Sequence, residues 1–134
     1  MKLKYLLDSD IFSLMAKGLD PAINQRLETL AKGEAALSVI TSGEFFYGVA
    51  HAPVSALRQK RAQRLIDFFG VLPITEDVSL TYGDVRARLR AKGTPIGPND
   101  LWLAAHAKTL GLVLVSRNDR EFKRVAGLKV ENWL

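Results

Sequence analysis

The chain contains no cysteine, which excludes disulfides, thiolate zinc sites and cysteine nucleophiles. Its two histidines, His51 and His106, are too few for the common His-type zinc centre. No apolar run approaches the roughly 18 residues of a membrane span, so no membrane association is expected. The N-terminal stretch Met1-Lys2-Leu3-Lys4-Tyr5-Leu6-Leu7-Asp8 reaches an acid too soon to serve as a secretory signal. Together these absences point to a cytoplasmic protein. There is no internal repeat, linker or low-complexity tract, and 134 residues suit one domain over residues 1–134.

What is present is an ordinary core-forming composition with 48% hydrophobic residues and a net charge of +5. Excess positive charge favours an anionic partner and speeds its arrival. The helix of residues 55–69 carries Arg58, Lys60, Arg61 and Arg64, and further positive groups lie at Arg86/Arg90 and at Arg117, Arg120, Lys123 and Arg124. The last group is the one closest to the proposed site and is the candidate for phosphate contact.

Short, continuously apolar segments alternate with helical patterns. Strands are expected at Lys4–Leu7, Ala35–Ile40, Val71–Ile74, Leu112–Val115 and Lys129–Trp133. Helices are expected at Ile11–Lys17 (capped by Asp10), Pro21–Lys32, Ser42–His51 (started by Thr41), Ser55–Phe69, Asp77–Lys92 and Asp100–Leu110, with a turn at Asn118–Val125. Apolar strands alternating with helices imply an α/β fold, with a parallel sheet covered on both faces.

In such sheets, sites form where strand C-termini meet the following helices. Asp8 ends the first strand, Glu44 lies one turn into the helix after the second, Asp100 opens a helix behind the stiff Pro95-Ile96-Gly97-Pro98 loop, and Asp119 follows the strand Leu112–Val115. Two carboxylates about 4 Å apart repel by roughly 4 kcal/mol at an effective dielectric of 20. A hard cation such as Mg²⁺ or Mn²⁺ relieves that repulsion. Each acid also has a purely structural explanation. Thr41-Ser42-Gly43-Glu44 reads as a capping box, Asp100 suits the positive end of its helix, Asp119 a turn, Glu121 a surface ion pair, and His106 packing beside Trp102 and Leu103. These explanations leave unexplained why the acidic junction residues fall on one edge.

With those residues placed, the chain resembles a PIN-domain ribonuclease of the VapC type, the toxin half of a type II toxin–antitoxin pair. The resemblance is carried by Tyr5-Leu6-Leu7-Asp8-Ser9-Asp10-Ile11, by Ser38-Val39-Ile40-Thr41-Ser42-Gly43-Glu44-Phe45-Phe46-Tyr47-Gly48-Val49, by Gly93-Thr94-Pro95-Ile96-Gly97-Pro98-Asn99-Asp100, by Ser116-Arg117-Asn118-Asp119-Arg120-Glu121-Phe122 and by the tail Gly127–Trp133. It implies a PIN-like three-layer α/β/α sandwich with a central parallel sheet, and an endoribonuclease acting through metal-activated water. It further implies Mg²⁺ (Mn²⁺ as the alternative ion), RNA as substrate with tRNA among the candidates, and a 5′-phosphate product. The implied partners are a second copy of the chain and a cognate VapB-type antitoxin, in a heterotetramer or larger assembly.

On this reading Asp8, Glu44, Asp100 and Asp119 are catalytic, with Asp8 and Asp100 as metal ligands. Ser9, Thr41, Ser116 and Asn118 supply supporting hydrogen bonds. Many relatives carry an acid where Asn118 stands, so the fourth position is open between Asn118 and Asp119. Many also carry asparagine where Asp10 stands. The alternatives are a non-catalytic RNA-binding module, a haloacid-dehalogenase-like phosphatase built on Leu6-Leu7-Asp8-Ser9-Asp10, and an inert antitoxin partner whose site is degraded at Asn118.

Overall fold

The computed structural model describes residues 2–134. Its elements, in chain order, are β1 (Tyr5–Leu7), α1 (Ser9–Lys17), α2 (Pro21–Thr29), β2 (Ala35–Ser38), α3 (Val39–His51), α4 (Ala56–Phe69), β3 (Val71–Leu72), α5 (Glu76–Ala91), α6 (Pro98–Leu110), β4 (Val113–Val115), α7 (Asp119–Phe122) and β5 (Lys129–Glu131). The five strands form one sheet in the order β3-β2-β1-β4-β5, and all four pairings are parallel. Parallel strands need crossover connections, and here helices supply them.

Alternation along the strands splits the core in two. Tyr5, Leu7, Leu37 and Val115 face α1, α2 and α4, where Ile11, Phe12, Met15, Ile23 and Ala62 close the first core. Leu6 and Leu114 face the other way, against Val85, Leu89, Leu101, Ala104 and Phe122. The sheet is thus apolar on both faces, and its strands carry no polar alternation because neither side meets water. The strand order reverses between β1 and β4. Their C-terminal ends frame the crevice in which doubly wound folds place their sites.

Four expected boundaries move for physical reasons. Helix α1 begins at Ser9, because Asp8 rather than Asp10 is its cap: the Asp8 carboxylate accepts from the Ile11 amide at 2.9 Å. Strand β2 stops at Ser38, whose hydroxyl accepts from the Ile40 amide at 3.1 Å and starts α3 at Val39. Helix α2 ends at Thr29, since Leu30 turns extended (φ −77°, ψ 128°) and packs against the first core. The last strand ends at Glu131, and Trp133 turns inward to meet Tyr5 edge to face at 5.0 Å.

Ser38 has a second role. His106 is 1% exposed, and its Nδ1 lies 2.9 Å from the Ser38 hydroxyl. Burial holds its imidazole below the ordinary range, against the raising effects of the Pro73 backbone and Asp77, so the ring is a neutral core group. One hydroxyl therefore serves both a helix end and a buried imidazole. Ser38→Ala leaves both partners unsatisfied and is expected to cost about 2 kcal/mol. Urea unfolding measures this, and a cost within a few tenths of a kcal/mol (about the size of a surface change) would contradict it.

Candidate active site

Asp8 is fixed through its backbone and its side chain. Its amide donates to the Val115 carbonyl at 3.0 Å, and its carbonyl accepts from the Phe12 amide at 3.0 Å. These bonds hold the residue between β1, β4 and α1, with the side chain 5% exposed. Burial pushes its carboxyl up to about 6. The Ser116 hydroxyl and the Ile11 amide oppose that shift, while the negative charges of Asp10 and Asp100 add to it.

Asp100 arrives from the other side of the crevice. Pro98 opens α6, and Gly97 precedes it without a side-chain cap, so Asp100 sits in the first helical turn, where negative charge is favoured. The loop before it is tied down at Thr94 and Pro95. The Thr94 amide donates to the Leu89 carbonyl at 2.9 Å, and Arg124 Nη1 donates to the Pro95 carbonyl at 3.2 Å. Asp100 is half-buried, and its carboxyl is also pushed up to about 6. Burial is the leading cause, followed by repulsion from Glu121, Glu44 and Asp10.

Glu44 reaches this group because α3 starts earlier than the sequence pattern indicates. The capping-box reading of Thr41 and Glu44 is corrected: Ser38 is the cap, and Thr41 is an interior residue of the helix. Its hydroxyl donates to the Leu7 carbonyl at 3.4 Å, next to Asp8. That leaves Glu44 with no capping duty, on a half-buried face of α3.

The segment after β4 sorts its residues differently from expectation. Ser116 is fully buried, and its hydroxyl accepts from the Asn118 amide at 2.9 Å. Asn118 Nδ2 donates to Glu121 at 2.7 Å. Glu121 is therefore no surface ion-pair partner; it is held by Asn118 and is the leading charge acting on Asp100. Asp119 lies on the same edge but pairs elsewhere, with Lys123 at 3.5 Å and Asn132 at 3.3 Å. Desolvation raises its carboxyl, but Asn132, its own backbone amide and Lys123 together outweigh that and hold it below the ordinary range. Of the basic residues expected to meet phosphate, Lys123 and Arg124 are thus already engaged, while Arg117 and Arg120 are exposed.

The interacting acids are Asp8, Asp10, Glu44, Asp100 and Glu121. Asp10 and Glu121 were not among the sequence candidates. Glu121 had a readable signal, since Asn118-Asp119-Arg120-Glu121 matches the spacing of a helix-start box, here used side chain to side chain. Among the described residues no three acids or histidines converge closely enough to ring an ion. The donors are all oxygens and are gathered at electrostatic range. That arrangement fits a hard cation that keeps several waters and takes only one or two carboxylates from the protein, as Mg²⁺ does.

Acids raised by burial and mutual repulsion, at the switch point of a parallel sheet, are what comparison with known proteins can now place. The PIN domain family matches residues 5–128. The chain belongs to the PIN-domain family. Ribonuclease VapC2 of Haemophilus influenzae is 37% identical, covering 98% of this chain and 99% of its own. The tRNA(fMet)-specific endonuclease VapC of Shigella flexneri is 31% identical, covering 98% of both chains. Among solved structures, the crystal structure of VapBC2 from Rickettsia felis bound to a promoter DNA fragment matches with a TM-score of 0.90 and 31% identity. It covers 98% of this chain and 100% of that one.

This PIN domain thus sits among VapC ribonucleases and has the expected three-layer parallel architecture. The membership displaces the phosphatase alternative. No helix among the described residues is long and apolar enough to cross a membrane.

The raised Asp8 carboxyl has a signed consequence. Its folded-state pKa of about 6 exceeds the unfolded value. Its stabilising contribution is therefore complete below about 3.8 and is lost as pH rises through about 6. Asp8→Asn keeps a good helix cap and removes the charge. Relative to the unsubstituted protein without metal, it is expected to gain on the order of 2 kcal/mol between about pH 4 and pH 8. Chemical denaturation at both pH values tests this; an unchanged difference would contradict it. Asp119→Asn carries the opposite sign.

Proposed function

We propose that this PIN domain is the ribonuclease toxin of a VapBC-type pair. It hydrolyses RNA phosphodiesters at the Asp8–Glu44–Asp100 cluster, with Mg²⁺ (or Mn²⁺) as cofactor. The observation that carries this reading is that Asp8 is buried and Asp100 half-buried among other acids at the switch point of the sheet, their carboxyls pushed up by that burial, on a protein of net charge +5. A merely RNA-binding surface gains nothing by desolvating carboxylates against one another, because its partner is itself an anion. A cation-assisted hydrolase has a use for them.

Asp8 and Asp100, on opposite walls of the crevice, are the residues suited to hold a cation. Bound there, a divalent ion supplies charge neutralisation at the phosphoryl oxygens and a more acidic water. The protein's own contributions are positional. Glu44 is free to accept a proton from, or orient, the attacking water. Ser116 and the Ile11 amide favour the ionised form of Asp8 against the larger effect of its burial. Thr41 pins α3 to the end of β1, which fixes Glu44 relative to Asp8. In the fourth position we favour Glu121, set by Asn118, over Asp119, whose carboxylate is committed to Lys123 and Asn132. Ser9 lies beside the cluster with its hydroxyl buried and without a hydrogen-bond partner.

The chain works, on this reading, as one cytoplasmic domain. It pairs with a second copy and is silenced by a cognate antitoxin in a heterotetramer or larger complex, as the VapBC structures support. tRNA is the first substrate to try, since a similar chain is named for tRNA(fMet) specificity.

The test is incubation of antitoxin-free protein with total RNA, with and without Mg²⁺, followed by mapping of new 5′-phosphate ends. Asp100→Asn is expected to reduce cleavage at least 100-fold, about 2.7 kcal/mol of transition-state stabilisation, while the protein remains folded. The parent is expected to melt at a higher temperature with Mn²⁺ than without it, and Asp100→Asn should abolish that rise. Full activity in Asp100→Asn sinks the proposal. Within the cluster, Glu121→Gln is expected to lower the rate by about tenfold or more, and Asp119→Asn by less than about threefold, differences of 1.4 and 0.7 kcal/mol. The reverse order of these two variants would return the fourth position to Asp119.

A further inference from the structure

The basic residues of α4 do not behave alike. Lys60 is exposed. Arg61 closes over the end of α1: its Nη1 donates to the Lys17 carbonyl at 2.9 Å, and Gly18 (φ +69°) lies so close that an added Cβ would meet the guanidinium at 2.5 Å. Arg58 instead turns into the groove between α1 and α3. It is half-buried, and its Nη2 donates to the Ser13 hydroxyl at 3.2 Å. Among the described residues no carboxylate pairs with it; the ion pairs are Arg26–Glu131, Arg88–Asp84 and Lys123–Asp119.

The groove has a volume of about 370 Å³. Ser9, Asp10, Thr41 and Glu44 line it where α1 and α3 begin, at the acidic cluster. Ser13 and Arg58 line it one turn further along α1, with apolar walls from Phe45, Val49 and Val54. Among the described residues, Ser9 Oγ and Arg58 Nε are the buried side-chain polar atoms without a hydrogen-bond partner, and both belong to this groove. An unpaired buried donor costs about 1–3 kcal/mol. Two of them in one channel, one belonging to a guanidinium with no carboxylate partner, mark the place of a missing acceptor with negative charge. From Ser9 to Ser13 is four residues, about 6 Å along the helix, which matches one phosphate-to-phosphate step along an extended strand.

We propose that this groove seats the RNA phosphate next to the one being cleaved. Arg58 is its cation, Ser13 is the residue that aims Arg58, and the Ser9 hydroxyl is the donor between the two phosphates. The assignment rests on the acidic cluster being the cleavage centre. It makes Arg58 the residue that sets the strand's register over that cluster. The apolar walls shield the contact from water, which strengthens it, and a fixed guanidinium offers a phosphate more than a mobile surface lysine does.

The experiment measures binding in EDTA of a short single-stranded RNA to protein carrying Asp100→Asn. One neutral methylphosphonate linkage is walked along the strand. One linkage position is expected to weaken binding about tenfold, and Arg58→Gln should weaken the all-phosphate RNA about tenfold and erase the penalty at that position alone. The slope of log affinity against log salt should fall by about 0.7. Arg58→Lys should restore the slope, and Lys60→Gln, an equal loss of charge outside the groove, should leave the methylphosphonate pattern intact.

Equal penalties in parent and Arg58→Gln proteins overturn the proposal, as does no RNA binding in either. So does an Arg58→Gln protein that loses antitoxin binding but keeps RNA binding, since the seat then belongs to a protein carboxylate. If the protein without Asp100→Asn cleaves no RNA with Mg²⁺ or Mn²⁺, the cleavage reading fails separately, because the binding walk needs no metal.

Discussion

Negative charge held in a partly dry crevice is the constraint around which this structure is organised. Asp8 is nearly buried at the point where the sheet reverses its strand order, and Asp100 faces it from the first turn of α6. Both are destabilised by burial first and by one another's neighbours second. A folded protein rarely accepts that arrangement without compensation. Here the compensation within the chain is incomplete: the Ser116 hydroxyl and the Ile11 amide help Asp8, and the helix start helps Asp100. The remainder is available to a cation.

The supporting structure follows from that demand. The loop before α6 is stiffened by two prolines and tied down by Arg124, so Asp100 cannot swing away from its repulsive neighbours. Thr41 bonds back to the end of β1, so α3 cannot slide and carry Glu44 out. Asn118 restrains Glu121. In each case a neutral or positively charged group is spent on orientation rather than on charge pairing, which would switch the carboxylate off. Asp119 shows the contrast. It is salt-bridged to Lys123 and hydrogen-bonded to Asn132, and its carboxyl is held below the ordinary range.

The net positive charge and the acidic crevice are complementary. The overall field draws a polyanion in, and the local field prevents its phosphates from resting on the bare carboxylates. Most of the basic side chains serve this long-range purpose from exposed positions, where salt screens them. Arg58 differs in position: it is half-buried, bonded to Ser13, and lines the groove that Ser9, Asp10 and Glu44 also line.

Much of this was legible in the sequence. Short, unbroken apolar strands between helical patterns require a sheet covered on both faces, and that fixes which strand ends carry the acids. Asp8 and Glu44 could be picked out because they follow such ends, and Asp100 because it opens a helix behind a Pro/Gly loop. The helix starts were less legible, since Asp8 and Asp10, or Ser38 and Thr41, are chemically equivalent caps and local pattern does not choose between them. The choice was made by pairing: the Asp8 amide continues the β1–β4 ladder, and Ser38 is held by His106 from a distant helix. The fate of Asp119 and Glu121 was decided in the same way. Both lie on one short turn, and only the positions of Asn132, Lys123 and Asn118 in space determine which carboxylate is neutralised and which faces Asp100. Composition and periodicity determined the layers and the edge of the site, because they act through burial, which is local to each segment. Tertiary structure alone decided which charges meet, because Coulomb energy depends on distances that chain order does not record.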